Sequence, residues 1–110
     1  MAKEPQKYDV FQAIADPTRR KLLEMLADKE LSISTVCSYF TMSRTAVTKH
    51  LHILESAGLV HSRKVGRERL YSLNAKPFKK LEQWLAFYEP YWDDKLSELK
   101  SIVENEDDRK

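Results

Sequence analysis

Cysteine, glycine and long apolar runs are scarce in this sequence. The one cysteine, Cys37, excludes an internal disulfide and a metal site built from cysteines alone. Two glycines among 110 residues argue against a sheet-rich fold and against a glycine-rich loop around a phosphate. No apolar run reaches the roughly 18 residues of a membrane-spanning helix, and the N-terminus has no signal-peptide pattern. We therefore expect one helical domain in the cytoplasm, without a membrane partner.

Positive charge is concentrated in the first part of the chain. The net charge is +2, but residues 1–75 carry 12 basic and 8 acidic side chains, whereas residues 76–110 carry 7 basic and 9 acidic ones. From Ser43 to Tyr71 there are six basic side chains and two acidic ones. A local basic patch favours a polyanion such as nucleic acid as partner. A merely solvated charged face is the alternative.

One helix, called here the reading helix, is predicted to run from Ser43 to Gly58. Ser43 is a good N-cap, because its hydroxyl can accept a hydrogen bond from a first-turn amide. Gly58 can adopt the left-handed conformation that ends a helix. Val47, Leu51 and Leu54 recur at helical spacing and fall on one face. The opposite arc is polar and basic, which is typical of the second helix of a helix-turn-helix.

The polar arc supplies candidate DNA contacts. Arg44 or Lys49 is best suited to guanine, which offers two acceptors in the major groove. Ser43 and the helix N-terminus are suited to hold a phosphate through amides. His50 flanks the apolar face and is expected to make a structural hydrogen bond. With the wing described below, the predicted DNA-binding residues are Ser43, Arg44, Thr45, Thr48, Lys49, His52, Lys64, Arg67 and Arg69.

An earlier helix is predicted to start at Asp16 as N-cap, with Pro17 at its first position. Three basic residues at 19–21 crowd its first turns, which the helix dipole disfavours. A compensating group is therefore expected nearby. It would be a carboxylate such as Glu24 or Asp28, or a DNA phosphate.

The first helix of the helix-turn-helix is predicted over residues 35–40, after an extended link at residues 31–34. Cys37 is expected to point inward there. We interpret it as a small buried hydrophobe in preference to a redox or metal residue.

Residues 59–73 are predicted to form a β-hairpin with its turn at residues 66–68. Lys64, Arg67 and Arg69 lie near its tip, where they could bind the DNA backbone or the minor groove. A hairpin directly after a reading helix is the arrangement of a winged helix-turn-helix. The two strands are predicted over residues 59–65 and 69–73.

Apolar side chains continue at helical spacing from Phe78 to Ile102. Pro90 is expected to kink or split this helix just before it. The small DNA-reading core cannot cover so long a stripe, which predicts a homodimer. A hairpin of the two halves packed on itself is the alternative. The predicted dimerisation residues are Tyr8, Phe11, Phe78, Leu81, Leu85, Tyr88, Trp92 and Leu96.

The patterns together predict a mainly α fold with a small β-hairpin, a winged helix-turn-helix that dimerises through its terminal helices. Its parts are a flexible N-terminus (1–7), the winged helix-turn-helix (8–75), a dimerisation helix kinked near Pro90 (76–103) and a charged tail (104–110).

Four segments, taken in order and with their spacing, are characteristic: Ala15-Asp16-Pro17-Thr18-Arg19, Ser43-Arg44-Thr45-Ala46-Val47-Thr48-Lys49-His50-Leu51, Leu54-Glu55-Ser56-Ala57-Gly58-Leu59-Val60, and Gly66-Arg67 followed by Tyr71-Ser72-Leu73. On these segments the sequence resembles the ArsR/SmtB family of bacterial winged-helix repressors over roughly residues 8–85. The resemblance implies a homodimer whose reading helices enter successive major grooves of a palindromic operator. It also implies repression, often of the protein's own operon, relieved by an inducer, which would be a small molecule or a protein.

The same resemblance argues against metal sensing. Metal-sensing members carry a cysteine pair at positions that fall here on Ser32 and Ser34, and Cys37 stands where alanine is usual. Other members bind zinc through Asp and His on the last helix, which here has Asp93 and Asp94 but no histidine. We therefore predict no metal and no other cofactor.

Three rival functions remain open at this stage. The first is a metal- or thiol-responsive repressor of the same family. The second is a winged-helix module that binds protein without touching DNA, which the basic reading helix disfavours. The third, a small hydrolase, lacks a nucleophile-elbow motif and a metal set, so we do not expect an enzyme.

Overall fold

The computed structural model describes residues 8–108, and describes side chains as far as Glu104. The predicted flexible segment 1–7 and the last two residues of the predicted tail lie outside this range. In chain order the elements are α1 (Val10–Ala13), α2 (Pro17–Met25), β1 (Leu31–Ser32), α3 (Ile33–Cys37), α4 (Arg44–Ser56), β2 (Val60–Val65), β3 (Glu68–Leu73), α5 (Phe78–Phe87) and α6 (Glu89–Asp108).

Helix α4 is the predicted reading helix, and both of its predicted ends are confirmed. The Ser43 side chain accepts a hydrogen bond from the Ala46 amide at 3.1 Å. At the other end Gly58 has φ +78°, a conformation that side chains with a Cβ rarely adopt. Between these ends Val47, Leu51 and Leu54 are fully buried.

Helix α2 also starts where the sequence predicts. The Asp16 carboxylate accepts from the Arg19 amide at 3.0 Å, and Pro17 occupies the first turn. A proline costs nothing there, because the amide it lacks would have no partner within the helix. Leu22 and Leu23 on its inner face are buried.

The prediction for α3 was wrong in its bounds. The helix begins at Ile33 and ends at Cys37, earlier than the predicted 35–40. The reason is Ser32, whose hydroxyl accepts from the Thr35 amide at 3.1 Å and acts as N-cap. Cys37 is half-buried, not fully inside.

The sheet has three strands where the sequence predicts two. Its order is β1-β3-β2 and both pairings are antiparallel. In the pairing of β1 with β3, Leu31 lies opposite Tyr71. The wing turn is shorter than predicted, because Glu68 already belongs to β3 and pairs with Val65. Gly66 has φ +62°, and no residue other than glycine has positive φ in the range 8–108, which fits a two-residue type II′ turn with glycine first.

The core lies between α2, α3, α4 and the base of the wing. Its apolar side chains come from every one of these elements, so each element depends on the others for burial. The largest fully buried side chains are Leu22, Leu26, Leu51, Leu54, Leu59, Val36, Val47 and Val60.

The chain divides into two compact units, the first ending at Lys80 and the second beginning at Leu81. In the second unit the helix breaks between Phe87 and Glu89, immediately before Pro90, as predicted. Helix α6 then continues to Asp108, so the first residues of the predicted charged tail are helical.

Side chains from Glu82 to Glu104 are all exposed, which is not the burial expected of a hairpin packed on itself. They include a row of aromatic rings: Trp84 and Tyr88 meet edge to face at 5.5 Å between ring centroids, and Phe87 and Tyr88 at 5.0 Å. Within residues 8–108 no helix is long and apolar enough to cross a membrane.

Candidate nucleic-acid interface

The face of α4 opposite the core is exposed and polar. Arg44, Thr45, Lys49 and His52 are exposed, and Thr48 is half-buried at the edge of this face. Ser43 stands at the start of the helix, with its hydroxyl engaged as the cap. The reading helix therefore brings together the six residues that were predicted on it.

The wing divides its side chains between two faces, because successive strand residues alternate. Lys64 lies opposite Arg69, and Ser62 lies opposite Tyr71, so these four share one face of the hairpin. Tyr71 on that face is buried. This burial raises the pKa of the Tyr71 hydroxyl, and the nearby negative charge of Glu55 on α4 raises that pKa further. Arg63 lies on the other face.

Arg63 is tied to the chain before β1 by an ion pair. Its Nε and Nη2 donate to the two oxygens of Glu30 at 2.7 and 2.8 Å. The hydrogen bond from Arg63, followed by its charge, lowers the pKa of Glu30, and the same contact raises the pKa of Arg63. One of the six basic side chains in the Ser43–Tyr71 segment is thus paired with a carboxylate of the same chain.

Arg69, predicted to bind DNA, is held by a relay to the reading helix. Its Nη1 donates to Ser62 Oγ at 2.9 Å, and Ser62 Oγ donates to Glu55 Oε2 at 2.8 Å. The relay joins the wing to α4 and directs Arg69 toward the base of the hairpin. Sequence reasoning missed it, because nothing in the alternation of a strand marks which serine will bridge to a helix.

Four of the six basic side chains in the Ser43–Tyr71 segment remain available to a polyanion. The side chains of Arg44 and Lys49 on α4, and of Lys64 and Arg67 on the wing, are exposed. None of them makes a hydrogen bond or ion pair within residues 8–108. Helix α4 and the wing therefore each present two positive charges that are not paired with an acidic side chain in the described part of the chain.

A shallow groove runs beside the reading helix. It is lined by Tyr8, Lys49, His52, Ile53 and Ser56. Tyr8, predicted from the sequence as a dimerisation residue, thus lies next to two predicted DNA-binding residues. The other predicted dimerisation residue near the N-terminus, Phe11 of α1, is 39% exposed.

The basic cluster at the start of α2 is compensated by backbone carbonyls, not by the predicted Glu24 or Asp28. Arg19 donates from Nε to the Ala13 carbonyl at 2.7 Å, and Arg20 donates to the Ile14 carbonyl at 2.7 Å. These carbonyls end α1 and carry the negative end of its dipole. The sequence places the cations correctly but does not show which helix end they reach.

His50 makes the structural hydrogen bond expected of it. Its Nδ1 lies 3.3 Å from Arg19 Nη1 and 3.9 Å from Asp16 Oδ2. Partial burial raises the pKa of Asp16, but the Arg19 amide hydrogen bond, the attraction of His50 when its ring is protonated, and the attraction of Arg19 together lower it below its usual value.

The two serines that stand where metal-sensing members carry cysteines have local roles. Ser32 caps α3, and Ser34 Oγ donates to Glu68 Oε1 at 3.2 Å. Within the part of the chain that the structure describes, no three His, Cys, Asp or Glu side chains are grouped so that they could hold a metal ion.

Known proteins resemble the chain across this interface. The family described as bacterial regulatory protein, arsR family, matches residues 16–62. The transcriptional repressor SdpR of Bacillus subtilis is 32% identical over 70% of this chain and 86% of its own length. The HTH-type transcriptional regulator Rv2034 of Mycobacterium tuberculosis is 33% identical over 89% of each chain.

A solved structure supports the same relationship at the level of the fold. The crystal structure of the ArsR family transcriptional regulator RHA00566 is similar with a TM-score of 0.71 and 37% sequence identity. The similarity covers 84% of this chain and 97% of that one.

Proposed function

Because the chain belongs to the arsR family of bacterial regulatory proteins, we propose that it is a homodimeric, sequence-specific repressor that acts without sensing metal. The family relationship makes the chain a DNA-binding transcriptional regulator. The dimer, the palindromic operator, the repression and the independence from metal are the parts that we propose.

The observation that carries the proposal is the exposed polar and basic face of α4, together with the exposed basic side chains of the wing. Arg44 and Lys49 are long donors suited to guanine, and Thr45 and Thr48 are short enough for the helix to approach the bases. The first-turn amides can hold a phosphate, and Lys64 and Arg67 can reach the backbone or minor groove. In this arrangement α4 reads bases while the wing fixes its register.

The exposed apolar side chains of the second unit support a dimer. Trp92 is 50% exposed and Leu96 58% exposed, and they continue the stripe of Leu85 and Tyr88. So many large apolar side chains on one monomer are typical of an interface. The two reading helices of a symmetric dimer would enter half-sites about 10 base pairs apart. Such a protein would act on DNA in the cytoplasm.

Repression and metal independence have separate support. SdpR is named a transcriptional repressor, which favours the same direction of control here. Serines at positions 32 and 34 offer no thiolate to a metal ion at neutral pH, and α6 has no histidine. An inducer, if one acts, would be a small molecule or a protein.

The test is a titration of the purified protein against the DNA upstream of its own gene. It is done at several salt concentrations, with zinc and with a chelator. The proposal predicts tight binding to one palindromic segment, a steep loss of affinity with salt and no effect of metal. Equal affinity for every duplex would contradict sequence-specific regulation, and release of DNA by zinc would contradict metal independence.

A further inference from the structure

Arg19 joins three elements that are separate in the sequence. Its Nε donates to the Ala13 carbonyl at 2.7 Å and its Nη2 to the Gln12 carbonyl at 3.2 Å, so two of its donors hold the end of α1. Its Nη1 reaches His50 on α4. The side chain starts from α2, two residues after Pro17, and so bridges all three helices.

The chemistry of this contact determines its direction. A guanidinium has donors only, so in the contact at 3.3 Å the Nδ1 of His50 must accept. The proton of the neutral imidazole then sits on Nε2. Asp16 Oδ2, 3.9 Å from the same Nδ1, keeps a negative charge beside the guanidinium.

The position of His50 on α4 determines what the contact with Arg19 can restrain. His50 is half-buried between the core face, where Leu51 lies, and the exposed face, where Lys49 lies. A side chain held at the edge of a helix resists rotation of that helix about its own axis. The buried inner face of α4 prevents large rotations, so the contact with Arg19 limits the small rotations that would shift Thr45 and Lys49 relative to the bases.

We propose that Arg19, acting through His50, is a positioning residue that fixes the rotation of the reading helix and thereby the base preference of the protein. The inference rests on the proposed function, because it assigns the contact a role in DNA reading. Arg19 itself touches no base. The role requires a planar guanidinium, because one group must donate hydrogen bonds to two carbonyls and to an imidazole at the same time.

The neighbouring Arg20 offers a matched control. It lies on the same turn of α2 and donates to the Ile14 carbonyl at 2.7 Å, but none of its hydrogen bonds within residues 8–108 reaches α4. Arg19→Lys and Arg20→Lys both keep the net charge, so long-range attraction of DNA is the same in the two variants. His50→Ala and His50→Asn form a second pair, because the asparagine oxygen can replace Nδ1 as acceptor.

The experiment measures fluorescence anisotropy with two labelled duplexes. One carries the sequence that the wild-type protein selects from a random pool, and the other is a scrambled duplex of the same composition. The readout is the ratio of the two affinities, at a temperature where circular dichroism shows each variant folded. We expect Arg19→Lys and His50→Ala to lower this ratio roughly tenfold with unchanged affinity for the scrambled duplex.

The control variants Arg20→Lys and His50→Asn are expected to keep an affinity ratio within about twofold of wild type. The double variant with Arg19→Lys and His50→Ala should have the same ratio as either single variant, because both substitutions remove the same contact. Equal ratios for Arg19→Lys and Arg20→Lys, or a wild-type ratio for His50→Ala, would overturn the inference while leaving the proposed function intact. If Arg19→Lys does not fold, the comparison of His50→Ala with His50→Asn decides alone. A wild-type protein without preference for any duplex would refute the proposed function, and the inference with it.

Discussion

Adjacent basic residues of the wing have different surroundings, although the sequence gives them the same character. Arg63 forms a two-point ion pair with Glu30, whereas Lys64, on the opposite face of the hairpin, is exposed and makes no ion pair within residues 8–108. Strand alternation alone separates them. The charge that matters for DNA is therefore smaller than the count of basic residues in the segment.

Substitution of these two residues should give different salt dependences. Lys64→Ala is expected to weaken binding to all duplexes and to reduce the slope of log affinity against log salt by about 1, because one phosphate contact is lost. Arg63→Ala should leave the slope unchanged, since its charge is already paired. Anisotropy titrations at several salt concentrations measure both. A smaller slope for Arg63→Ala would mean that the Glu30 pair opens on DNA.

Asp16 should make stability depend on pH in acid. Its folded-state pKa is lower than usual, so the ionised carboxylate stabilises the fold at neutral pH, and this contribution is lost as the pH falls through the folded-state pKa. Asp16→Asn keeps a good N-cap but removes the charge. It should be less stable than wild type at pH 7, with a gap that narrows below about pH 4. Urea unfolding at both pH values measures the gap, and a gap independent of pH would contradict this account.

At the scale of the element, Ser43 combines two roles that substitution can separate. Ser43→Ala should cost about 1 kcal/mol of unfolding free energy through loss of the cap. Ser43→Asp keeps the cap but places a negative charge where a phosphate is proposed, so stability should stay near wild type while DNA affinity falls. Thermal unfolding and anisotropy on the same samples separate the effects. Full DNA affinity in Ser43→Asp would exclude a phosphate at this helix end.

Elements with their own local signals were predictable, and those that depend on distant partners were not. The ends of α4 follow from Ser43 and Gly58, and the wing from the change of period after Gly58. Strand β1 was missed because it is two residues long and exists only through its pairing with Tyr71 and Leu70. The start of α3 was misplaced because several hydroxyl residues in succession can all act as caps.

The same distinction holds for the interface. Helical spacing determines which residues of α4 are exposed, so these residues could be predicted from the sequence. The contact of Arg19 with His50 joins residues 31 positions apart, and the relay through Ser62 joins a helix to a strand. No periodic pattern encodes such contacts, because they depend on how the elements pack.

At the scale of the whole molecule, the exposed apolar stripe should control assembly. Leu96→Glu is expected to convert a dimer into a monomer, because a carboxylate in an apolar interface must be desolvated without a partner. Ser97→Glu adds the same charge at the next, polar position and should leave the dimer intact. Sedimentation equilibrium distinguishes the two states. A wild-type protein with the mass of one chain, or Leu96→Glu that remains dimeric, would contradict the proposed interface.

The reading of bases by α4 is tested most directly by comparing the sequences that wild type and Arg44→Ala select from a random duplex pool. The account predicts that wild type selects a two-fold symmetric site with half-sites about 10 base pairs apart. Arg44→Ala should lose about 1–3 kcal/mol of discrimination at one base position in each half-site and keep the others. An unchanged set of selected sequences would contradict the assignment of this face of α4 as the surface that reads DNA.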